Sequence, residues 1–285
     1  MTGIKNTYRF IRYALLQRHF YSLTAPLRVL PNFIVIGVGR GGTTSLYHYL
    51  NEHPCVIKSA YDELGFFDEN FHLGLNWYRS MFPTKFLKKK ISKEFGKCLT
   101  YDVTPSYIRK PWVARRIKEL FPKIKLIALL RNPVDKAYSH YHLSLRSGVQ
   151  KSSFEEIIEE DIKTFQKFEN TNSMIDDKYF RIYIEKSHLG RGFYAQQLKI
   201  WFELFDRKQI LILTSEELST DTNKTMNKIF QFLDLPNYEI PDITKHNTAT
   251  YANMKIDTRK KLISFYSKYN QDLFKLLNQE FDWNK

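Results

Sequence analysis

Apolar residues recur along the chain in two periods that alternate. The run Phe33 to Val38 (FIVIGV) is continuously apolar, β-branched and then broken by glycines, the pattern of a strand buried on both faces and feeding a turn. A helix is expected to follow from about Thr43 to Asn51. Cys55–Lys58, Lys97–Asp102, Ile124–Leu130 and Gln209–Thr214 are further short apolar runs. Between and after them, apolar residues fall three or four apart: Phe154, Ile157, Ile158, Ile162 and Phe165; Tyr194, Leu198, Trp201 and Phe205; Met226, Ile229, Phe230 and Leu233. A last helix is expected to carry Leu262, Tyr266, Tyr269, Leu273 and Leu276. Strands alternating with helices predict one α/β domain, with a central parallel sheet of about five strands and helices on both faces. Lys88, Lys89 and Lys90 read as a solvated loop.

Composition narrows the class. The 285 residues are 43% hydrophobic and 26% charged, which excludes a disordered or fibrous chain. A net charge of +14 favours anionic ligands without choosing among nucleic acid, acidic lipid, polyanionic sugar or a phosphorylated nucleotide. Cys55 and Cys98 are too few for a disulfide scaffold and lack metal-ligand spacing, so both are expected in the core, with no metal site. No apolar run approaches the ~20 residues that span a bilayer, and the first thirty residues lack the apolar core of a signal peptide. A cytoplasmic location is therefore expected. Residues 1–31 form a basic arm in which Lys5, Arg9, Arg12, Arg18 and Arg28 alternate with aromatic residues and no acid, a composition suited to peripheral membrane contact. Residues 32–285 form the domain, and its oligomeric state is not legible.

The segment Gly37-Val-Gly-Arg-Gly-Gly-Thr-Thr-Ser45 joins the first strand to a helix, so backbone N–H groups and the positive helix end can hold an anion. A P-loop NTPase would need lysine where Thr43 stands. A dinucleotide-binding turn is matched by Gly37, Gly39 and Gly42, with Asp62 at the expected distance beyond, and predicts an NAD(P)-dependent oxidoreductase. That turn does not call for Arg40 inside the loop or for the paired threonines. A basic nucleic-acid-binding protein would account for the charge, but no nucleic-acid motif is present, so nucleic acid is not an expected partner.

A second motif lies in Arg131-Asn-Pro-Val-Asp-Lys-Ala-Tyr-Ser139, which closes a buried strand and opens a helix with Pro133 in its first turn. Arg131 at the strand end and Ser139 on the helix can converge on one phosphate dianion. Together the two segments resemble the 5′-phosphosulfate loop and the 3′-phosphate motif of sulfotransferases that use 3′-phosphoadenosine-5′-phosphosulfate (PAPS). In the first, Arg40 replaces the commoner lysine.

The resemblance extends to the carbohydrate branch, including the heparan sulfate sulfotransferases and bacterial relatives. Its carriers are Glu63 through Phe66-Phe67, Gly74 through Trp77-Tyr78, the Tyr101–Tyr107 segment, Gly192–Leu198, Glu216–Leu218, Phe232–Leu235 and His246-Asn247. Val103 and Gly65 depart from the branch, standing where lysine and histidine are frequent.

What this resemblance implies is a P-loop-like fold and transfer of a sulfuryl group from PAPS to a hydroxyl or amino group, leaving adenosine 3′,5′-bisphosphate (PAP) without a metal. The acceptor is expected to be a carbohydrate or glycolipid. Arg40, Gly41, Gly42, Thr43, Thr44 and Ser45 are expected at the 5′-phosphosulfate, Arg131 and Ser139 at the 3′-phosphate. Glu63 is expected to be the general base, with Asp62 its neighbouring alternative and His140 and His142 in reserve. Trp77, Tyr78, Arg79, Tyr107, Arg109 and Trp112 are candidates for acceptor contact or for core packing. The late basic segment from Lys245 to Lys261 is a candidate cover for the nucleotide.

Overall fold

The computed structural model describes residues 18–170, 183–244 and 251–283. Most of the basic arm and the Lys245–Asn247 portion of the late basic segment lie outside the described residues.

Five strands form one sheet: β1 (Phe33–Gly37), β2 (Val56–Ile57), β3 (Leu99–Val103), β4 (Lys125–Leu130) and β5 (Ile210–Thr214). Their order is β2-β3-β1-β4-β5, and every pairing is parallel, with Phe33 opposite both Tyr101 and Lys125. The helices around the sheet include α1 (Arg18–Leu23), α2 (Thr43–Glu52), α3 (Gly74–Ser80), α4 (Lys85–Phe95), α5 (Pro111–Leu120), α6 (Pro133–Arg146), α7 (Phe154–Asn170), α8 (Tyr194–Leu204), α9 (Ser215–Thr220), α10 (Thr222–Phe232) and α11 (Ile256–Leu277).

Alternation along the strands divides the core. Ile34 and Ile36 of β1, with Leu126, Ala128 and Leu130 of β4, face α5, α8 and the end of α11. Phe33 and Val35, with Ile127 and Leu129, face Leu46 and Leu50 of α2 and Ile229 and Phe230 of α10. Burial on both faces is why β1 reads as one uninterrupted apolar run. A third cluster joins α6, α7 and α11 through Ala137, Ile158, Phe165, Leu262 and Tyr266.

Local signals set the boundaries. Asn132 caps α6 by accepting a hydrogen bond from Val134 N, and Pro133 occupies its first turn. Thr214 and Glu217 form a capping box at α9. The Lys88–Lys90 loop expectation is incorrect: these residues lie within α4, whose cap Thr84 accepts from Leu87 N and whose end is Gly96 at φ 89°. Lysine is a good helix former, and Ile91, partly buried against the core, gives the helix an inner edge, so the charge run marks a solvated helix face. Cys55 and Cys98 are buried and unpaired, as expected. Among the described residues, no helix is long and apolar enough to cross a membrane.

Candidate active site

β1, β3, β4 and β5 all end beside one cavity of about 730 Å³, the place a parallel sheet leaves open for a ligand. After β1 the chain turns sharply: Val38 N donates to Leu129 O at 2.9 Å, and Gly41 N donates to Val38 O at 2.9 Å. Arg40 and Gly42 take positive φ, 67° and 88°. A Cβ on Gly41 would lie 2.8 Å from Leu129 O and 2.8 Å from Val38 Cγ2, so only glycine lets the loop lie this close to β4. Gly42 then caps α2 without a side-chain acceptor, and Gly42, Thr43, Thr44 and Ser45 line the cavity.

The second motif clamps this loop. Arg131 Nη1 donates to Arg40 O at 2.9 Å, and Arg40 Nε donates to Ser139 Oγ at 3.0 Å. Ser139 sits in the second turn of α6, as its spacing predicts. The backbone around Arg131 is itself held, since Tyr194 OH donates to Arg131 O at 2.7 Å and Asn132 N donates to Glu216 Oε1 at 2.9 Å. Burial lowers the pKa of the Arg40 guanidinium, with nearby Arg131 and Arg146 acting in the same direction and Tyr251 opposing. A cluster of like charges in partial burial calls for an anion.

Glu63 reaches the same cavity from the loop after β2. Its N–H donates to Val103 O at 2.8 Å, and its φ is 56°. Three and four residues on, Phe66 and Phe67 are buried, Phe66 stacked on Tyr78 at 4.3 Å and Phe67 edge-on to Tyr107 at 5.6 Å. The two rings anchor the loop and leave the glutamate at the rim. Burial raises the Glu63 carboxyl pKa, and Asp62, Asp68 and Glu69 add to the shift. Beneath lies Asp102, which accepts from Thr104 Oγ1 at 2.8 Å, Tyr78 OH at 3.0 Å and Tyr107 OH at 3.1 Å.

The expected residues Arg40, Gly42, Thr43, Thr44, Ser45, Glu63, Arg131 and Ser139 thus converge on one cavity, while Gly41 packs underneath it and Asp62 stands outside its lining. Trp77, Tyr78 and Tyr107 belong to the core and offer no face to a ligand; Trp112 is 42% exposed but outside the cavity lining. Arg109 does line it, with Nη1 donating to Glu185 O at 2.9 Å. His140 also lines it, but burial and the adjacent Arg191, whose Nη1 meets His140 Nε2, drive its pKa far below the ordinary value. So weak a base is a poor proton acceptor. His142 stacks instead on Tyr251 at 4.2 Å.

Sequence reasoning missed Arg191, Gln197 and Tyr251, which also line the cavity. Arg191 stands between Gly190 and Gly192 just before α8, and a Cβ at Gly192 would meet Pro133 Cβ at 2.8 Å. A basic residue between two glycines at a helix entrance was the available signal. With Arg40, Arg109 and Arg131, it makes four arginines against Glu63, Asp135 and Glu216 on the cavity wall.

The profile of the sulfotransferase domain matches residues 30–281. The membrane-associated sulfotransferase kil1 of Dictyostelium discoideum is 26% identical, over 90% of this chain and 67% of its own length. Heparan sulfate glucosamine 3-O-sulfotransferase 5 of Mus musculus is 30% identical over 81% of this chain, which spans 59% of that relative. For the human bifunctional heparan sulfate N-deacetylase/N-sulfotransferase 3, the identity is 27% over 88% of this chain, which spans only 30% of that relative. A sulfotransferase structure from Alicyclobacillus acidocaldarius shares the fold with a TM-score of 0.65 at 22% identity, covering 90% of this chain and all of that one. The chain belongs to the sulfotransferase family.

Proposed function

We propose that the cavity binds PAPS and that the protein transfers its sulfuryl group to a hydroxyl or amino group of a carbohydrate or glycolipid acceptor. One observation carries the reading: Arg40 of the glycine turn and Arg131 and Ser139 of the second motif are joined by direct hydrogen bonds at the carboxyl ends of β1 and β4. The donor set fits a nucleotide with anionic groups at both ribose ends. The cavity volume lies in the range of small-molecule sites, and four arginines line it. Arg40, the backbone of Gly42 and the first-turn groups of Thr43, Thr44 and Ser45 hold the 5′-phosphosulfate, while Gly41 keeps the loop against β4. Arg131 and Ser139 hold the 3′-phosphate.

Bound there, the donor supplies an electrophilic sulfur with PAP as leaving group, and no covalent enzyme intermediate is needed. Arg40 and the end of α2 stabilise the negative charge that grows on the leaving phosphate. Glu63 takes the acceptor's proton; burial, with the neighbouring acids Asp62, Asp68 and Glu69, raises its pKa above that of a free carboxylate and so strengthens it as a base. The carbohydrate assignment draws on the names of the heparan sulfate relatives, which the chain spans only in part. The name of the Dictyostelium relative and the composition of residues 1–31 support contact with a membrane surface.

Calorimetric titration tests the donor site. PAP is expected to bind, adenosine 5′-monophosphate and NAD far more weakly, and Arg131→Ala to weaken PAP by about ten- to a hundred-fold through loss of a charge-assisted hydrogen-bond pair. Preference for NAD, or equal affinity for PAP and the monophosphate, would overturn the reading.

A further inference from the structure

A second chemically distinct surface lies at the opposite end of the sheet from the cavity. Asn32, just before β1, accepts from Lys88 Nζ at 2.9 Å and from Thr100 N at 3.0 Å, and Phe95 O at the end of α4 accepts from Cys55 Sγ at 3.1 Å. These contacts seat α4 across the amino ends of β1, β2 and β3. A five-residue strand, about 16 Å, separates that end from the cavity.

α4 has no buried residue. Phe86 is 79% exposed, and in the segment that the Arg28–Thr84 bridge joins to the start of α4, Leu27 is 64% and Leu23 78% exposed. Arg28 Nη1 donating to Phe82 O at 2.8 Å and Val29 N donating to Pro83 O at 3.1 Å lock the two segments together. Lys89, Lys90 and Lys93 follow Phe86 at helical spacing on the same face, and Lys85 precedes it. All four lysines are exposed, and none forms an ion pair with another described residue. Glu94 is the single acid of the helix. The sequence leading into α1, residues 1–17, adds Lys5, Arg9 and Arg12 and contains no acid.

Large apolar side chains standing out of a fixed surface and ringed by unpaired lysines are the chemistry of an interfacial binder. We propose that the α4 face bearing Phe86, together with Leu23 and Leu27, docks on an anionic lipid bilayer. Phe86 and the leucines enter the headgroup boundary, and the lysines meet acidic headgroups. This deepens the membrane reading of residues 1–31 by placing the lipid-facing surface on the folded domain, and it is independent of the donor site. It also sets the lipid-facing surface and the cavity at opposite ends of the sheet.

The test is co-sedimentation of the full chain with phosphatidylcholine vesicles, with and without about one third phosphatidylserine. The wild type is expected to bind the anionic vesicles, and Leu27→Asp/Phe86→Asp and Lys89→Glu/Lys90→Glu are each expected to weaken that partition by about tenfold or more. PAP titration of the same variants, which lie remote from the cavity, is expected to match wild type and reports that they are folded. Vesicle binding unchanged by both variants would assign the membrane contact to residues 1–17 and overturn the α4 proposal, while the membrane reading would stand. No wild-type binding would overturn both. Concentration-dependent dimerisation of the wild type without vesicles, abolished by either variant, would make the face a self-association surface and overturn the lipid assignment.

Discussion

Asp102 has no solvent exposure at the carboxyl half of β3, yet it carries an ionisable group. Burial raises its pKa from 3.8 to about 6, against the opposing pull of the Thr104, Tyr78 and Tyr107 hydroxyls that donate to it. The folded state therefore holds this proton more tightly than the unfolded chain does. The stabilisation from the neutral form is fully present below about pH 4 and is lost as pH rises through about 6. Two pK units correspond to ~3 kcal/mol, a sizeable fraction of the 5–15 kcal/mol typical of a whole domain. Asp102→Asn keeps the shape and never ionises. Urea denaturation of both proteins at about pH 4.5, 6 and 7.5 isolates the effect, because the other titrating groups cancel in the difference. The wild type is expected to lose stability relative to Asp102→Asn by ~2 kcal/mol across that range. A difference that stays constant within about 0.5 kcal/mol would show that the three hydroxyl donors already hold the carboxylate ionised in the fold. The result bears on the site, because Thr104 and Tyr107 accept from Gly65 N and Phe67 N in the Glu63 loop.

Glu63→Gln is expected to lower turnover by ~10²- to 10⁴-fold and Asp62→Asn to leave it near wild type, measured as sulfuryl transfer once an acceptor is in hand. Since burial raises the Glu63 pKa and the base acts ionised, kcat/KM of the wild type is expected to climb with pH through a value above 4.5, and that limb is expected to vanish in Glu63→Gln. Gly41→Ala places a Cβ 2.8 Å from Leu129 O and 2.9 Å from Val38 O, where backbone must shift. A loss of ~1–3 kcal/mol in thermal or urea unfolding, together with weaker PAP binding, is expected. Unchanged PAP affinity would mean that the turn tolerates displacement from β4.

The sequence alone determined the five strands, the starts of α2 and α6, and the glycine turn and Arg131–Ser139 segments, because these depend on neighbours a few residues apart. Burial of β1 on both faces, the Asn132-Pro133 start of α6 and the glycine that fits against β4 are each written locally. Where a local pattern has two readings, the sequence could not choose: the lysine run in α4 reads as a loop until Ile91 meets the core, and Trp77 and Tyr107 read as either acceptor contacts or core packing until their burial decides for the core. Tertiary structure alone decided what meets across long separations. Arg40 bonds Ser139 across 99 positions, Arg191 comes to His140 across 51, and the Arg28–Thr84 bridge joins the segment of exposed Leu27 to the start of α4. No periodicity encodes such encounters, because they follow from how a parallel sheet gathers its strand ends on one side and leaves helices to cross the other.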